Sequence, residues 1–261
     1  GGETMRRILI ANRGEIAIRI ARTAAEMGLA AVAVHPADDA QSLHVRRADA
    51  AVLLPGQGPA AYLDIAALVQ AAKDAGCDAV HPGCGFVSEN PDFARACAEA
   101  GLTFIGPSPE TLALFGDKAR ARALARQAGA PVLPGTDGET SLDEATAFLA
   151  ALGEGACVMV KALAGGGGRG MRPAASAEDL AAAFERCASE AQAAFGDPRL
   201  YVEQFLPRAR HVEVQIAGDG TEVVHLYDRE CSLQRARQKV VEIAPAAMLP
   251  QSVRERLFAA A

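Results

Sequence analysis

No stretch of the chain approaches the roughly 20 consecutive apolar residues that a membrane-spanning helix needs. The N-terminus also lacks the charged, apolar and cleavable regions, in that order, of a signal peptide. A membrane is therefore not an expected partner. The six cysteines (Cys77, Cys84, Cys97, Cys157, Cys187 and Cys231) contain no C-x-x-C pair, and the five histidines lack metal-ligand spacing. In a chain of 261 residues that reads as reduced, cytoplasmic thiols, with neither a disulfide frame nor a zinc site. There is no basic stripe: the net charge is −6 and charges of both signs are interleaved, which argues against nucleic acid. A nucleotide stays compatible, because a few local donors hold its phosphates. Lysine is scarce as well. The 26 basic residues include only Lys73, Lys118, Lys161 and Lys239 as lysines. A chain that otherwise uses arginine keeps lysine where a compact, flexible point charge is wanted. Lys73, on an exposed helical face, reads as an ordinary surface residue.

Half the residues are hydrophobic and 22% are charged, the balance of a globular chain with a fillable core. Gly1–Thr4, ahead of Met5, are set aside as outside the fold. From residue 6 to 105 short apolar runs alternate with helical spacing: Arg7–Ala11, Ala31–His35, Ala51–Leu54, Ala79–His81 and Thr103–Ile105 read as strands. Between them, Asp64–Ala75 and Asn90–Ala100 read as helices ending at Gly76 and Gly101. Strand and helix in regular succession predict right-handed crossovers and a parallel sheet. After Gly106-Pro107-Ser108-Pro109 a second section opens, with helices near Glu110–Phe115, Asp117–Ala128, Ser141–Leu152 and Ala177–Ala194, and strands Cys157–Ala162 and Leu200–Phe205. A hairpin is expected from His211–Ala217 and Glu222–Tyr227 around Gly218-Asp219-Gly220, and a terminal helix from about Pro250.

The sharpest feature is the run from Lys161 through Ala164, Gly165-Gly166-Gly167-Gly168 and Arg169-Gly170 to Met171. Glycines let backbone N–H groups approach phosphate oxygens and make a flap able to close over a nucleotide, so residues 164–170 are expected to be mobile without one. Gly165, Gly167 and Gly170 fit G-x-G-x-x-G, but the run comes late and opens no helix, which excludes a Rossmann fingerprint. No Gly-Lys-Ser/Thr closes it, which excludes a Walker loop. A linker is the plain alternative, but a linker is not normally preceded by a buried strand that delivers a lysine.

Lys161 at the end of that strand, Lys118 in Phe115-Gly116-Asp117-Lys118, and Tyr201-Val202-Glu203-Gln204-Phe205-Leu206 resemble ATP-grasp enzymes. The resemblance becomes specific in Ile10-Ala11-Asn12-Arg13-Gly14-Glu15-Ile16-Ala17, His81-Pro82-Gly83-Cys84-Gly85-Phe86-Val87-Ser88-Glu89-Asn90 and Phe104-Ile105-Gly106-Pro107. With Arg210-His211-Val212-Glu213, Arg229-Glu230-Cys231-Ser232-Leu233-Gln234-Arg235 and Gln238-Lys239-Val240-Val241-Glu242, these look like the biotin carboxylase family from about residue 6 to 245. The chain departs from that family's pattern at Cys84 (usually tyrosine), Arg237 (usually histidine) and Ala164 (usually glycine).

The resemblance implies an α/β fold: a Rossmann-like parallel-sheet domain at 5–115, an ATP-grasp lid domain with a preceding helical linker at 116–205, and the start of the C-terminal ATP-grasp domain at 206–261. It implies ATP contacts from Lys118, Lys161, Gly167, Gly168, Met171, His211 and Arg237, with Glu203, Gln204, Phe205 and Leu206 as the hinge around adenine and ribose. Lys239 falls on the bicarbonate-binding lysine and Gln234 also faces the nucleotide, these two being the implied catalytic residues, and the loop bearing Gly85 and Glu89 lines the biotin site. ATP, bicarbonate, Mg2+ or Mn2+, and biotin on a carrier domain are the implied ligands. A carboxyltransferase and a second copy of the parent chain are the implied further partners. The family's metal-binding glutamates fall beyond residue 261, so the chain by itself is expected not to turn over. Two other readings stay open: a different ATP-grasp ligase, such as a carbamoyl-phosphate synthetase large chain, and a non-catalytic nucleotide-binding or dimerisation module.

Overall fold

The computed structural model describes residues 5–164, 170–235 and 238–261. The chain divides into two compact units, Gly1–Gly116 and Asp117–Ala261. No helix among the described residues is long and apolar enough to cross a membrane. The six cysteines are free.

In the first unit the strands are β1 (Arg7–Ile10), β2 (Ala30–His35), β3 (Ala50–Leu53), β4 (Ala79–His81) and β5 (Thr103–Phe104). They form one parallel sheet in the order β3-β2-β1-β4-β5. The helices are α1 (Gly14–Glu26), α2 (Leu43–Arg47), α3 (Ile65–Asp74), α4 (Pro91–Glu99) and α5 (Pro109–Gly116). Alternation along the strands serves both faces. Leu9, Val32, Val34 and Val80 meet Leu68 and Phe93, while Ile10 and Ala31 meet Ala17, Ala21 and Ala24 of α1. The alanines recur at helical spacing and present only methyl groups to the sheet. Side-chain caps start α3 and α4: Asp64 accepts from the Ala67 N–H, and Asn90 from those of Asp92 and Phe93. Gly76 and Gly101 follow the helix ends at φ +64° and +73°, as the sequence predicts. Strand order reverses between β1 and β4, so the segments after their carboxyl ends flank the crevice where such sheets bind ligands.

Helix α2 lies where the sequence gives no helical expectation. It is anchored by a tertiary contact, the buried His44 donating Nε2–H to the Val34 carbonyl at 3.1 Å. Next to it is a buried polar group. Tyr62 donates its hydroxyl to Asp39 Oδ2 at 2.8 Å, and Asp39 Oδ1 accepts from Arg13 at 2.8 Å and Ser42 at 3.0 Å. Burial pushes Asp39 up, but the hydrogen bonds from Tyr62 and Ser42 and the Arg13 charge outweigh it and hold the carboxyl below its ordinary range. Tyr62→Phe removes one donor from this charged acceptor and is expected to cost about 2 kcal/mol in urea unfolding. An unchanged midpoint would show that Asp39 needs no phenol.

In the second unit, α6 (Lys118–Gln127) is capped by Asp117, and α7 (Leu142–Ala151) by a reciprocal Ser141–Glu144 capping box. β6 (Cys157–Ala162), β7 (Met171–Ala174) and β8 (Leu200–Phe205) form an antiparallel sheet in the order β7-β6-β8, with α8 (Ala177–Phe195) between β7 and β8 in the chain. Val158, Val160, Ala162, Leu200 and Val202 face Leu180, Ala183 and Cys187 of α8. The period of two turns Lys161 and Glu203 to the other face.

A third sheet, antiparallel in the order β11-β10-β9, contains β9 (Val212–Gly218), β10 (Val223–Arg235) and β11 (Gln238–Ile243). Helix α9 (Gln251–Ala260) follows, and its Phe258 stacks on His225 at 3.9 Å. The expected hairpin is present but does not stop at Tyr227. A register shift between His225 and Asp228, with Tyr227 at φ +66°, lets β10 continue to Arg235.

Candidate functional site

Lys161 leaves the sheet at the end of β6, paired with Tyr201 on β8 and with Met171 on β7. Met159 pairs with Glu203, so Glu203 is the diagonal neighbour of Lys161 on the same face. The Lys161 ammonium donates to Glu203 Oε1. Lys118, the first residue of α6, donates Nζ to the Ala162 carbonyl at 3.4 Å, one residue beyond Lys161. Burial pushes the Lys118 ammonium below its ordinary pKa. Two ammonium groups therefore converge at the end of one buried strand, which suits a polyanion.

The outer edge of β8 is occupied by the segment before α7. Gln204 N–H donates to the Pro134 carbonyl at 2.8 Å, and Thr136 exchanges bonds with Val202. Phe205 ends the strand, and Leu206 beyond it is exposed. Glu203, Gln204, Phe205 and Leu206 thus run from a paired strand into irregular chain.

His211, Gln234 and Lys239 gather on the β9–β10–β11 sheet. Gln234 Nε2 donates to His211 Nδ1 at 2.9 Å and to the Cys231 carbonyl at 2.9 Å, which puts the imidazole proton on Nε2. That nitrogen lies 3.5 Å from Glu213 Oε2. Lys239 Nζ donates to the same oxygen at 2.6 Å, and Arg229 holds Glu213 Oε1 and lies 2.9 Å from Glu242. The Lys239 hydrogen bond leads in holding Glu213 below its ordinary pKa, and the same bond raises Lys239, so both stay charged. Glu213, Cys231 and Glu242 present ligand atoms within 4.8 Å of one another. Arg229 and Lys239 already neutralise both carboxylates, so this group does not fit a divalent metal.

Gly85 and Glu89 belong to the first unit. Asn12 anchors their loop by donating Nδ2 to the carbonyls of Pro82 at 2.8 Å and Cys84 at 2.9 Å. Gly83 sits at φ +66°, where a Cβ would fall 2.5 Å from Asn12, so only glycine admits that anchor. Cys84 is exposed on this loop. Gly167, Gly168, Arg237 and the body of the expected flap lie outside the described residues.

Three residues of these clusters carry no role in the sequence reading. Glu213 and Arg229 lie inside quoted motifs, and only the cross-strand register brings them to Lys239. Arg122, whose Nη1 donates to Glu203 Oε2 at 3.0 Å, lies four residues after Lys118 on α6, hence on the same helix face, and that spacing is the sequence signal that points to it.

Residues 4–112 match the family model described as biotin carboxylase, N-terminal domain, and residues 117–261 match carbamoyl-phosphate synthase L chain, ATP binding domain. Pyruvate carboxylase 1 of Caenorhabditis elegans is 50% identical over 258 residues, 97% of this chain and 22% of the relative. Biotin carboxylase of Pseudomonas aeruginosa is 45% identical over 257 residues, 98% of this chain and 57% of the relative. The Campylobacter jejuni biotin carboxylase–β,γ-ATP complex superposes with a TM-score of 0.94 at 42% identity, covering 98% of this chain and 58% of that one. The biotin carboxylase domain dimer of Hydrogenobacter thermophilus 2-oxoglutarate carboxylase, in complex with MgADP, ADP and bicarbonate, gives 0.93 at 39%, covering 99% and 57%. The chain thus spans 22% of the pyruvate carboxylase and little more than half of the biotin carboxylases.

Proposed function

Because the chain belongs to the biotin carboxylase family, we propose that it supplies the ATP- and bicarbonate-binding part of a ligase that carboxylates biotin. The observation that carries the proposal is the convergence of Lys118 and Lys161 at the end of β6. In this reading both ammonium groups bind ATP phosphates beside Met171, and Glu203–Leu206 receive the ribose and adenine. His211 also faces the nucleotide. Lys239 holds bicarbonate in line with the γ-phosphate, and Gln234 keeps His211 in place beside it. Phosphoryl transfer to a bicarbonate oxygen makes carboxyphosphate, whose CO2 is attacked by N1 of biotin; holding the reactants in line is the protein's main contribution.

The loop of Gly85 and Glu89 lines the biotin end. Biotin arrives on a carrier domain, a carboxyltransferase takes the product, and the parent works as a homodimer. Support for these partners is the length of the pyruvate carboxylase relatives and the dimer in the Hydrogenobacter structure. The reduced cysteines favour a cytoplasmic setting. The test is ATP turnover by the longer parent polypeptide, with bicarbonate, in the presence and absence of free biotin. Turnover that biotin stimulates is the expected result. Turnover indifferent to biotin would favour another ATP-grasp ligase.

A further inference from the structure

Among the described residues Glu203 has two cationic partners. Lys161 donates to Oε1, while Arg122 Nη1 donates to Oε2 at 3.0 Å. The second arm of the guanidinium, Nη2, donates to the Leu133 carbonyl at 2.7 Å. The side chains of Arg122 and Glu203 are only 13% and 14% exposed, so this is a largely desolvated pair rather than a surface one. The site is shaped for the guanidinium: a Cβ on Gly135 would fall 2.5 Å from Arg122 Nη2 and 3.0 Å from the Glu203 Cβ. Glycine there leaves the room that the guanidinium occupies beside β8.

We propose that Arg122 is a positioning residue for nucleotide binding, keeping Glu203 neutralised when a phosphate draws Lys161 away. The proposal rests on the reading above, in which Lys161 binds phosphate. A half-buried carboxylate that loses its counter-ion is costly. With Lys161 as its one partner, Glu203 would hold the ammonium back from the phosphate or be left bare when it moved. Arg122 removes that conflict, since it engages the other carboxylate oxygen and is tied to the Leu133 carbonyl independently of the nucleotide. An arginine suits this because its planar fork serves both acceptors at once, which a lysine ammonium does less well.

The test uses the whole chain and two probes, ADP and adenosine, with affinities from calorimetry and folding followed by thermal melting. Adenosine has no phosphate to draw Lys161 off, so the Lys161–Glu203 pair survives its binding. Arg122→Met should weaken ADP about tenfold, the effect of a little over 1 kcal/mol. Adenosine should change by less than about twofold, and in an E203Q background the ADP penalty should also shrink to about twofold, because neighbouring groups couple. Equal losses for ADP and adenosine, or a full penalty persisting with E203Q, would overturn the proposal and leave Arg122 as a staple for Leu133. If R122M fails to fold, R122K decides: ADP affinity within about threefold of wild type supports the charge role, and equal tenfold losses for both probes refute it. Lys161→Ala separates the two levels. If it leaves ADP affinity untouched, the phosphate reading fails and this proposal with it, whereas an intact K161A effect beside a null R122M result sinks the Arg122 role alone.

Discussion

Lys161→Ala should weaken ADP binding by about a hundredfold, since removing one partner of a desolvated, hydrogen-bonded charge pair costs about 2–5 kcal/mol and about 1.4 kcal/mol is tenfold. Lys239→Ala should leave nucleotide affinity within about twofold, since each role is local, and should abolish bicarbonate-dependent turnover in the parent polypeptide. The split follows from where the two ammonium groups sit. Lys161 lies at the end of a buried strand, beside Lys118 and against the Glu203 carboxylate. Lys239 belongs to the separate β9–β10–β11 sheet, where Glu213 keeps it protonated and therefore able to hold an anion. Calorimetric titration with ADP reads the first effect, and phosphate release with and without bicarbonate reads the second. A K161A variant with wild-type affinity, or a K239A variant that loses ADP, would reverse the assignment.

Removing Arg254 should cost the second unit about 3 kcal/mol, the lower range for stripping the partner from a buried charge. The Asp228 side chain is 0% exposed and accepts from Arg254 Nε at 2.7 Å and from the Ala246 N–H at 2.7 Å. Arg254 also donates Nη2 to the Ala246 carbonyl at 3.0 Å, so one guanidinium ties α9 to β10 and to the turn after β11. The Arg254 hydrogen bond is the main cause holding Asp228 below its ordinary pKa. A depressed carboxylate pKa contributes stability that is fully present above the unfolded value, about 3.9, and is lost as pH falls through the folded one. Urea unfolding of wild type should therefore lose stability below about pH 4, and R254M should lose less over the same range. The D228N/R254M double variant should recover part of the loss, because it leaves no bare charge. A single R254M change of under about 0.5 kcal/mol would place this pair with ordinary surface substitutions.

The parallel sheet was the most legible part of the fold. Its strands are short apolar runs, and α3 and α4 stop at Gly76 and Gly101, which take positive φ, two independent signals in agreement. The far half of β10 was not legible, because the charged run Asp228-Arg229-Glu230 breaks the apolar alternation that marks Glu222–Tyr227 as a strand. In the structure each of those charges is answered across the fold: Arg229 by Glu213, Glu230 by Arg210, and Asp228 by Arg254. Helix α2 was missed for a similar reason, since a buried histidine bonded to a β2 carbonyl leaves no periodic trace. Within the candidate site, motifs led to Lys118, Lys161, Glu203, His211, Gln234 and Lys239. Arg122 escaped because its importance depends on β8, 81 residues further along the chain.

Half-buried Lys118 carries a chemical consequence. An amine reacts with an acylating reagent only after losing its proton, and burial makes Lys118 lose it more readily, while Glu213 makes Lys239 retain its own. Near neutral pH a small activated ester should therefore acylate Lys118 ahead of Lys239, and bound ADP should shield it. On the proposed reading of Lys118 as a phosphate-binding residue, protection of this amine by ADP is the expected result, and acylation that ADP leaves unchanged would count against that reading.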